Sequence, residues 1–593
     1  MGWIRVALAA LWFGAASAQA AVSFLVETRD LSPAEQRASG RVLEDALKRL
    51  PPAFVEKFER PVRVQWRDDL PANKHGQARR WRISIKRSLL ADYDAARAAV
   101  LHELAHLHDR NTTPRISRDP RFLDLAGWER AVWRPGRRGR NAFSDRSPDA
   151  YERASPREYF AVNLEHYLLD AAYRCRRPDM AAYFDQRFGV KPSPAVSCGD
   201  ELVFVQGGIA NSEPLRRLDP RRIAAVDYLL ADGNARPMSA FGHSMLRLVV
   251  CAPEREPGDD CRGDLQHHLV LSFRAFVDDL QISGWRGLSG GYPSRLFVLP
   301  LSQVIDEYTK VELRGLRSIP LELSRPEIAA IARRTAQRHW NYDGRYRFLT
   351  NNCAVETLKL LGEAVPRIAA RELSAITPVG LLEKLRNEGL TNEQDIPGDA
   401  DEAIRQGYRF APADAYFDDM YAVAKSSLRL APRDAAGWLA LAPSRRTEAL
   451  RQADLRAAAA LLVLESAAVR QQEALALDEL KRRYLRRATK RDADDLRQAR
   501  RWLELAERFS RPAAWLDGVA GYGLPQADEL HALERRVEAD AIALREGGKA
   551  LKAALRERLS TPRRDMLESA ETNLALIGER LRKLAGEEAP DLD

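Results

Sequence analysis

Apolar positions along this chain change their rhythm three times. From residue 22 to about 205, strand-like alternating runs are mixed with two strongly helical stretches. Arg80-Trp81-Arg82-Ile83-Ser84-Ile85 alternates as an edge strand does. From about 206 to 370 the runs shorten, and Gly and aromatic residues become more frequent. A linker-like stretch follows near Thr391 to Gly398. From about Leu430 onward the chain is rich in Ala, Leu, Arg and Glu. There Leu530, Val537, Leu544 and Leu551 recur at sevenfold spacing, with Leu533 and Leu555 between the repeats. That spacing predicts a long amphipathic helix packed on a partner helix, punctuated by Pro525 and Pro562.

Length and composition narrow the class. A chain of 593 residues suggests about three or four domains. A hydrophobic share of 45% lets each bury a core. The net charge of +9, from 93 basic and 84 acidic residues, is small for this length. It suits an anionic envelope surface and does not argue for nucleic acid. The sequence contains no zinc ribbon, phosphate loop or dinucleotide fingerprint. Arg5, an apolar run from Val6 to Ala16, and small residues at Ala18 and Ala20 read as a cleaved signal peptide over residues 1–20. No later run has about 18 consecutive apolar residues, so no transmembrane anchor is expected after cleavage. The expected location is periplasmic or secreted, where disulfides persist.

Five cysteines in an exported chain cannot all pair. Cys175 with Cys198, and Cys251 with Cys261, form two close couples in sequence, which leaves Cys353. An unpaired thiol in an oxidising compartment is either buried and inert or kept reduced for chemistry.

Two constellations carry candidate chemistry. The first is His102-Glu103-Leu104-Ala105-His106, an HExxH within a helical run from Asp92 to Asp109. Residues at i and i+4 share one helix face, so both imidazoles can hold one zinc while Glu103 serves as base. Glu158 is the expected third ligand. It follows Ser155-Pro156, a helix-start pair, and Glu165 is the reserve two turns on. His108 and Asp109 are candidates to orient a ligand imidazole. HELAHLHD followed by PREYFAVNLE resembles the gluzincin metallopeptidases, and looks most like the branch containing the Mlc titration factor peptidases. The resemblance covers two helices and implies a zinc peptidase.

The second constellation is His243, at the start of a strand beside Gly242, with Cys353 about 110 residues later. Asn351 or Asn352 can cap a helix whose apolar face uses Val355, Leu358 and Leu361, placing Cys353 in its first turn. Helix amides favour a thiolate there, and a histidine from a neighbouring strand can act as base. Ser272 is the candidate to orient His243, with His267 and His268 as solvated alternatives. Tyr346 or Asn352 could donate to an oxyanion. The order His before Cys matches circularly permuted papain-like enzymes. The intervening GLSGGYPSRLFVLPL, VIDEYTKVELRGLRSIPLELS and YDGRYRFLTNNC resemble the Lnb N-terminal periplasmic domain family over about 210 to 370. That resemblance implies the fold and the Cys-His pair. The lipoprotein transacylase reaction of the family's namesakes belongs to proteins with added membrane spans, and does not carry over.

The sequence therefore predicts a multidomain α+β protein. A signal peptide (1–20) precedes a zincin-like α+β domain (21–205) and a permuted papain-like α+β domain (206–370). Linker and connecting helices (371–429) lead to an all-α helical region (430–593). Its expected function is acyl transfer or amide hydrolysis through a Cys353 thioester, on lipoprotein acyl groups or cell-wall peptides, beside a zinc peptidase-like domain. The C-terminal helices could dock a protein partner. A non-catalytic scaffold using both folds for binding, or a zinc peptidase alone, are the competing readings.

Overall fold

The structure is a computed structural model that describes residues 3–6, 23–130, 138–143, 146–190, 198–206, 213–234, 241–276, 292–486 and 492–588. Most of the expected signal peptide lies outside these residues. The chain is multidomain. It divides into two compact units, one of residues 1–202, 333–344 and 516–533, the other of residues 203–332, 345–515 and 534–593.

The first unit is built on a five-stranded sheet. Its strands are β1 (Trp3–Val6), β2 (Phe24–Glu27), β3 (Val62–Arg67), β4 (Gly76–Arg79) and β5 (Arg82–Lys86), in the order β1-β2-β3-β5-β4. Strands β2, β3 and β5 run parallel, and β1 and β4 pair antiparallel at the two edges. The edge at the site is thus Gly76–Arg79. The 80–85 run, expected at an edge, is covered by β4 and lies inside the sheet. Ile83, Ser84 and Ile85 are all buried, so both faces are covered here and the polar residues of the run do not mark a solvent face.

Helix α1 (Pro33–Arg49) starts at Ser32, whose hydroxyl and Glu35 form a reciprocal capping box, and it buries Val42, Leu43 and Ala46. Helix α2 (Tyr93–Asn111) carries the HExxH and is capped by Asp92. Ten of its residues are buried, so it runs through the core with little amphipathic contrast. Helix α3 (Pro156–Leu169) begins at Ser155, which accepts the Glu158 N–H at 3.3 Å, with Pro156 in the first turn. Cys175 and Cys198 form a disulfide. The 516–533 segment adds Tyr522 to this unit's core, and Tyr522 donates to Asp170 at 2.6 Å. Glu529 accepts from Arg146 at 2.5 Å.

The second unit contains a seven-stranded sheet. Its strands are β6 (Ile223–Ala231), β7 (His243–Val250), β8 (Leu269–Ala275), β9 (Tyr292–Pro300), β10 (Leu316–Pro320), β11 (Gly344–Tyr346) and β12 (Arg409–Phe410). The spatial order is β11-β9-β8-β7-β6-β10-β12. The stretch read as linker and connecting helices thus also supplies an edge strand, β12. Helix α4 (Cys353–Ala364) packs on β7 and β8. Its buried face is Ala354, Thr357, Leu360 and Leu361, one step round from the expected Val355, Leu358 and Leu361. Polar Thr357 and Glu356 are buried there, which hid the true face from a count of apolar residues. A disulfide joins Cys251 and Cys261 and leaves Cys353 as the free cysteine.

The C-terminal region is helical, as expected, with α5 (Leu455–Arg486), α6 (Asp492–Ser510), α7 (Ala527–Glu557) and α8 (Thr561–Glu588). Helices α5 and α8 pack along each other. Val537, Leu544 and Leu551 of the sevenfold repeat are buried. No helix among the described residues is long and apolar enough to cross a membrane.

Candidate functional site

In the first unit, α2 and α3 bring three donors together. The Nε2 atoms of His102 and His106 lie 3.3 and 3.1 Å from one oxygen, Oε2 of Glu158. One ligand atom from each residue lies within 4.8 Å of the other two. The i, i+4 spacing on α2 and the first-turn position of Glu158 on α3 produce this convergence. Two imidazoles and a carboxylate match the donor set of a hydrolytic zinc site, so the residues fit that metal. Glu165, the reserve ligand, sits 3.5 Å from His102 Nδ1, on the other side of the ring. That is the place of a carboxylate that orients a ligand imidazole.

Electrostatics hold the cluster in a paired state. Burial opposes the His102 cation, but hydrogen bonds with Glu158 and Glu165 outweigh it and raise the imidazole to about 10. Burial likewise opposes the Glu158 anion, and the two histidines overcome it, pulling the carboxyl down to about 2. Glu103 is buried, and burial raises its carboxyl above the usual range. Its Oε2 has no hydrogen-bond partner. A Cβ added to Gly76 on the edge strand would lie 2.6 Å from Glu103 Oε1, so only glycine leaves that carboxylate its place.

His108 and Asp109 do not orient the ligands. His108 stacks on Phe54 with ring centres 4.1 Å apart, and burial first, then Arg187 and Lys57, hold it down to about 3. Asp109 accepts from the Ser117 N–H at 2.8 Å and hydroxyl at 2.7 Å, fixing the next turn. Sequence reading passed over Tyr151. Its phenol is raised by Glu158 first, then burial and Glu103, which places it beside the same carboxylates.

In the second unit, His243 Nε2 lies 2.9 Å from Ser272 Oγ. Strands β7 and β8 pair antiparallel with Leu246 opposite Leu271. Arg274 Nε donates to Ser272 Oγ at 2.9 Å, and its Nη1 donates to both Glu307 oxygens at 2.9 Å. Glu307 and Arg274 are thus part of the candidate site that no motif announced. A Cβ on Gly242 would lie 2.5 Å from the Ala231 carbonyl, so the turn into His243 requires glycine at φ +79°. Burial first, then Arg274 and Arg314, hold the His243 imidazole down to about 3. The ring is therefore uncharged at neutral pH.

Cys353 opens α4, and its cap is Asn352. The Asn352 carboxamide oxygen accepts from Ala354 and Val355, while its nitrogen donates to the carbonyls of Phe348 and Ile376. Asn352 is thus fully engaged and unable to serve an oxyanion. Tyr346 can. Its hydroxyl accepts the Cys353 N–H at 3.4 Å, and burial holds the phenol well above its ordinary range, keeping it a donor. Tyr346 also feels the charge of Tyr308, whose ring faces His243 at 6.2 Å between centres. Cys353 thus meets Tyr346, and His243 faces Tyr308. Cys353 and His243 share no direct hydrogen bond among the described residues.

His268 is not solvated. It is buried, with Nδ1 accepting from Arg247 Nε at 3.1 Å and Nε2 donating to the Cys261 carbonyl at 2.9 Å. Arg247, Arg262 and Asp227 complete a buried ion cluster. The Asp227 carboxylate accepts from Arg262 at 2.5 Å and from Ser318 at 2.7 Å.

Residues 210–388 match the family described as the Lnb N-terminal periplasmic domain. That match supports an exported envelope protein. Residues 23–99 and 112–197 match a family described as a domain of unknown function (DUF7844). Neither stretch includes residues 100–111, which hold the HExxH. No curated protein and no solved structure matches the chain.

Proposed function

We propose that this chain is an exported envelope enzyme with two separate hydrolytic sites, a zinc peptidase-like site at His102, His106 and Glu158 and a thiol site at Cys353 and His243. The observation that carries the first is the convergence of two imidazole nitrogens on one Glu158 oxygen. Zinc held by these three residues would supply Lewis acidity at neutral pH. Glu103, with a free buried oxygen and a raised pKa, is the general base and holds the proton taken from water. Glu165 fixes the His102 ring.

The thiol reading rests on the family match and on the His243–Ser272 contact. The Cys353 sulfur attacks a substrate carbonyl carbon while His243 Nδ1 takes the thiol proton. The carbonyl oxygen gains negative charge and receives the Tyr346 hydroxyl. His243 returns the proton to the leaving amine or alcohol, the carbon–heteroatom bond breaks, and a thioester forms. Water or an acceptor amine then attacks the thioester, its proton passes through His243, and the Cys353 thiol is restored. The zincin-like and permuted papain-like folds belong to this proposal, as do lipoprotein acyl groups or cell-wall peptides as substrates.

The deciding experiment profiles envelope lipids and peptidoglycan in a null strain beside Cys353→Ala and Glu103→Gln strains. Each variant reproducing part of the null pattern supports two active sites. Both variants matching wild type, at normal protein levels, would favour a binding scaffold. A pattern that changes only with Glu103→Gln leaves a zinc peptidase alone.

A further inference from the structure

Helices α5, α6, α7 and α8 enclose a groove of about 630 Å³ that contains none of the candidate catalytic residues. Its size falls within the range of small-molecule pockets, roughly 300–1,000 Å³. Leu477, Leu480, Leu551, Leu555, Leu559 and Leu567 form its walls. Leu477 is 52% exposed at the rim of the groove. The polar rim is one-sided. Arg545, Lys549, Lys552 and Arg556 line the groove against a single acidic residue, Glu473. Lys552 pairs with Glu473 at 2.8 Å, and Arg556 pairs with Glu571. Lys549 has no ion-pair partner among the described residues.

The helix itself is unusual at this point. Gly547 and Gly548 sit in the middle of α7, where each costs roughly 1 kcal/mol relative to alanine. Gly548 lines the groove. Two glycines are a poor choice for a helix whose only task is packing. They suit one that must leave a channel open. Lys549, Lys552 and Arg556 also face a neighbouring polar groove together with Arg564, where Glu557, Glu568 and Glu571 balance most of their charge, so the cationic excess lies on the apolar groove's own rim.

We infer that this groove binds a single-chain anionic amphiphile, with the acyl chain along the leucine walls and the head group at Lys549. Charge complementarity selects the anion, and the leucine walls take the chain. The inference is independent of either catalytic proposal.

The test titrates the full-length protein with a dansylated undecanoate, read by energy transfer from tryptophan, since Trp502 lines the groove. Saturable transfer is expected, with competition by palmitate or by palmitoyl-lysophosphatidylglycerol. Displacement by the first identifies free fatty acid, and displacement by the second alone identifies a phospholipid source. Dodecyl maltoside, which is neutral, should compete at least tenfold more weakly. Gly548→Leu should lower affinity at least tenfold without lowering the unfolding temperature. Leu477→Trp, which blocks the groove from its exposed rim, should do the same if Gly548→Leu disturbs folding. Lys549→Glu should weaken palmitate at least tenfold and leave dodecyl maltoside unchanged. Absence of saturable transfer, or equal affinity in wild type and both groove-filling variants, would overturn the inference.

Discussion

His243 meets Ser272 through Nε2 at 2.9 Å, which leaves Nδ1 as the ring nitrogen available for proton transfer. The same ring is kept neutral by burial and by the charges of Arg274 and Arg314. The resting imidazole is therefore uncharged. On the proposed mechanism it takes the thiol proton, so alkylation of Cys353 at neutral pH should slow by at least about tenfold in His243→Ala. Iodoacetamide labelling followed by mass mapping reads this directly. Cys353→Ala and His243→Ala should each lower turnover by at least about a hundredfold.

Arg274 acts on His243 through Ser272 and through its own charge. Arg274→Gln should raise the His243 pKa, because it removes the larger of the two cations opposing the imidazolium. The acid limb of a pH–rate profile should then move upward by about one unit. An unmoved limb would mean that burial alone sets the imidazole.

In the first unit, zinc content and activity should separate. His102→Ala, His106→Ala and Glu158→Ala should each lose bound zinc by elemental analysis. Glu103→Gln should keep it and lose peptidase activity by about a hundred- to ten-thousand-fold. Gly76→Val should also keep zinc while losing activity, because its side chain would collide with the Glu103 carboxylate.

Acid should destabilise the fold through its neutral histidines. His108, His243 and His268 are held near 3 in the folded chain, against an ordinary value near 6.5. Between those values the unfolded chain binds protons that the folded chain refuses, so stability falls as pH falls. Above about pH 6.5 these groups contribute no pH dependence. Calorimetric unfolding temperatures should decline from about pH 6 to 4, and His108→Phe and His268→Gln should each flatten the decline.

Asp227 is fully buried between Arg262 and Arg247. Removing one partner of a buried ion pair leaves uncompensated charge. Asp227→Ala should therefore cost about 3–5 kcal/mol, read from the denaturant midpoint of the affected transition.

Much of both candidate sites could be read from local chemistry. His102, His106 and Glu158 obey helical spacing and a helix-start signal, and the two disulfides join cysteines close in sequence. The helix cap at Asn352 and the first-turn position of Cys353 were equally legible. What escaped is what depends on distant strands. Nothing in the 80–85 run reveals that Gly76–Arg79 lies outside it. His268 looked solvated because its partner, Arg247, is 21 residues away on the adjacent strand. Arg274 and Glu307 are ordinary charged residues until the fold joins them to each other and joins Arg274 to Ser272.

The first unit is finished by residues far along the chain. Tyr522 lies in its core, and Glu529 holds Arg146 and Arg176. The order of synthesis and the order of folding must therefore diverge. The stretch that emerges earliest waits, with part of its interior uncovered, until more than five hundred residues have been made. A gene cut after the first two hundred codons would encode the HExxH helix without the tyrosine that helps close its own unit, and its product would expose apolar surface to aggregation.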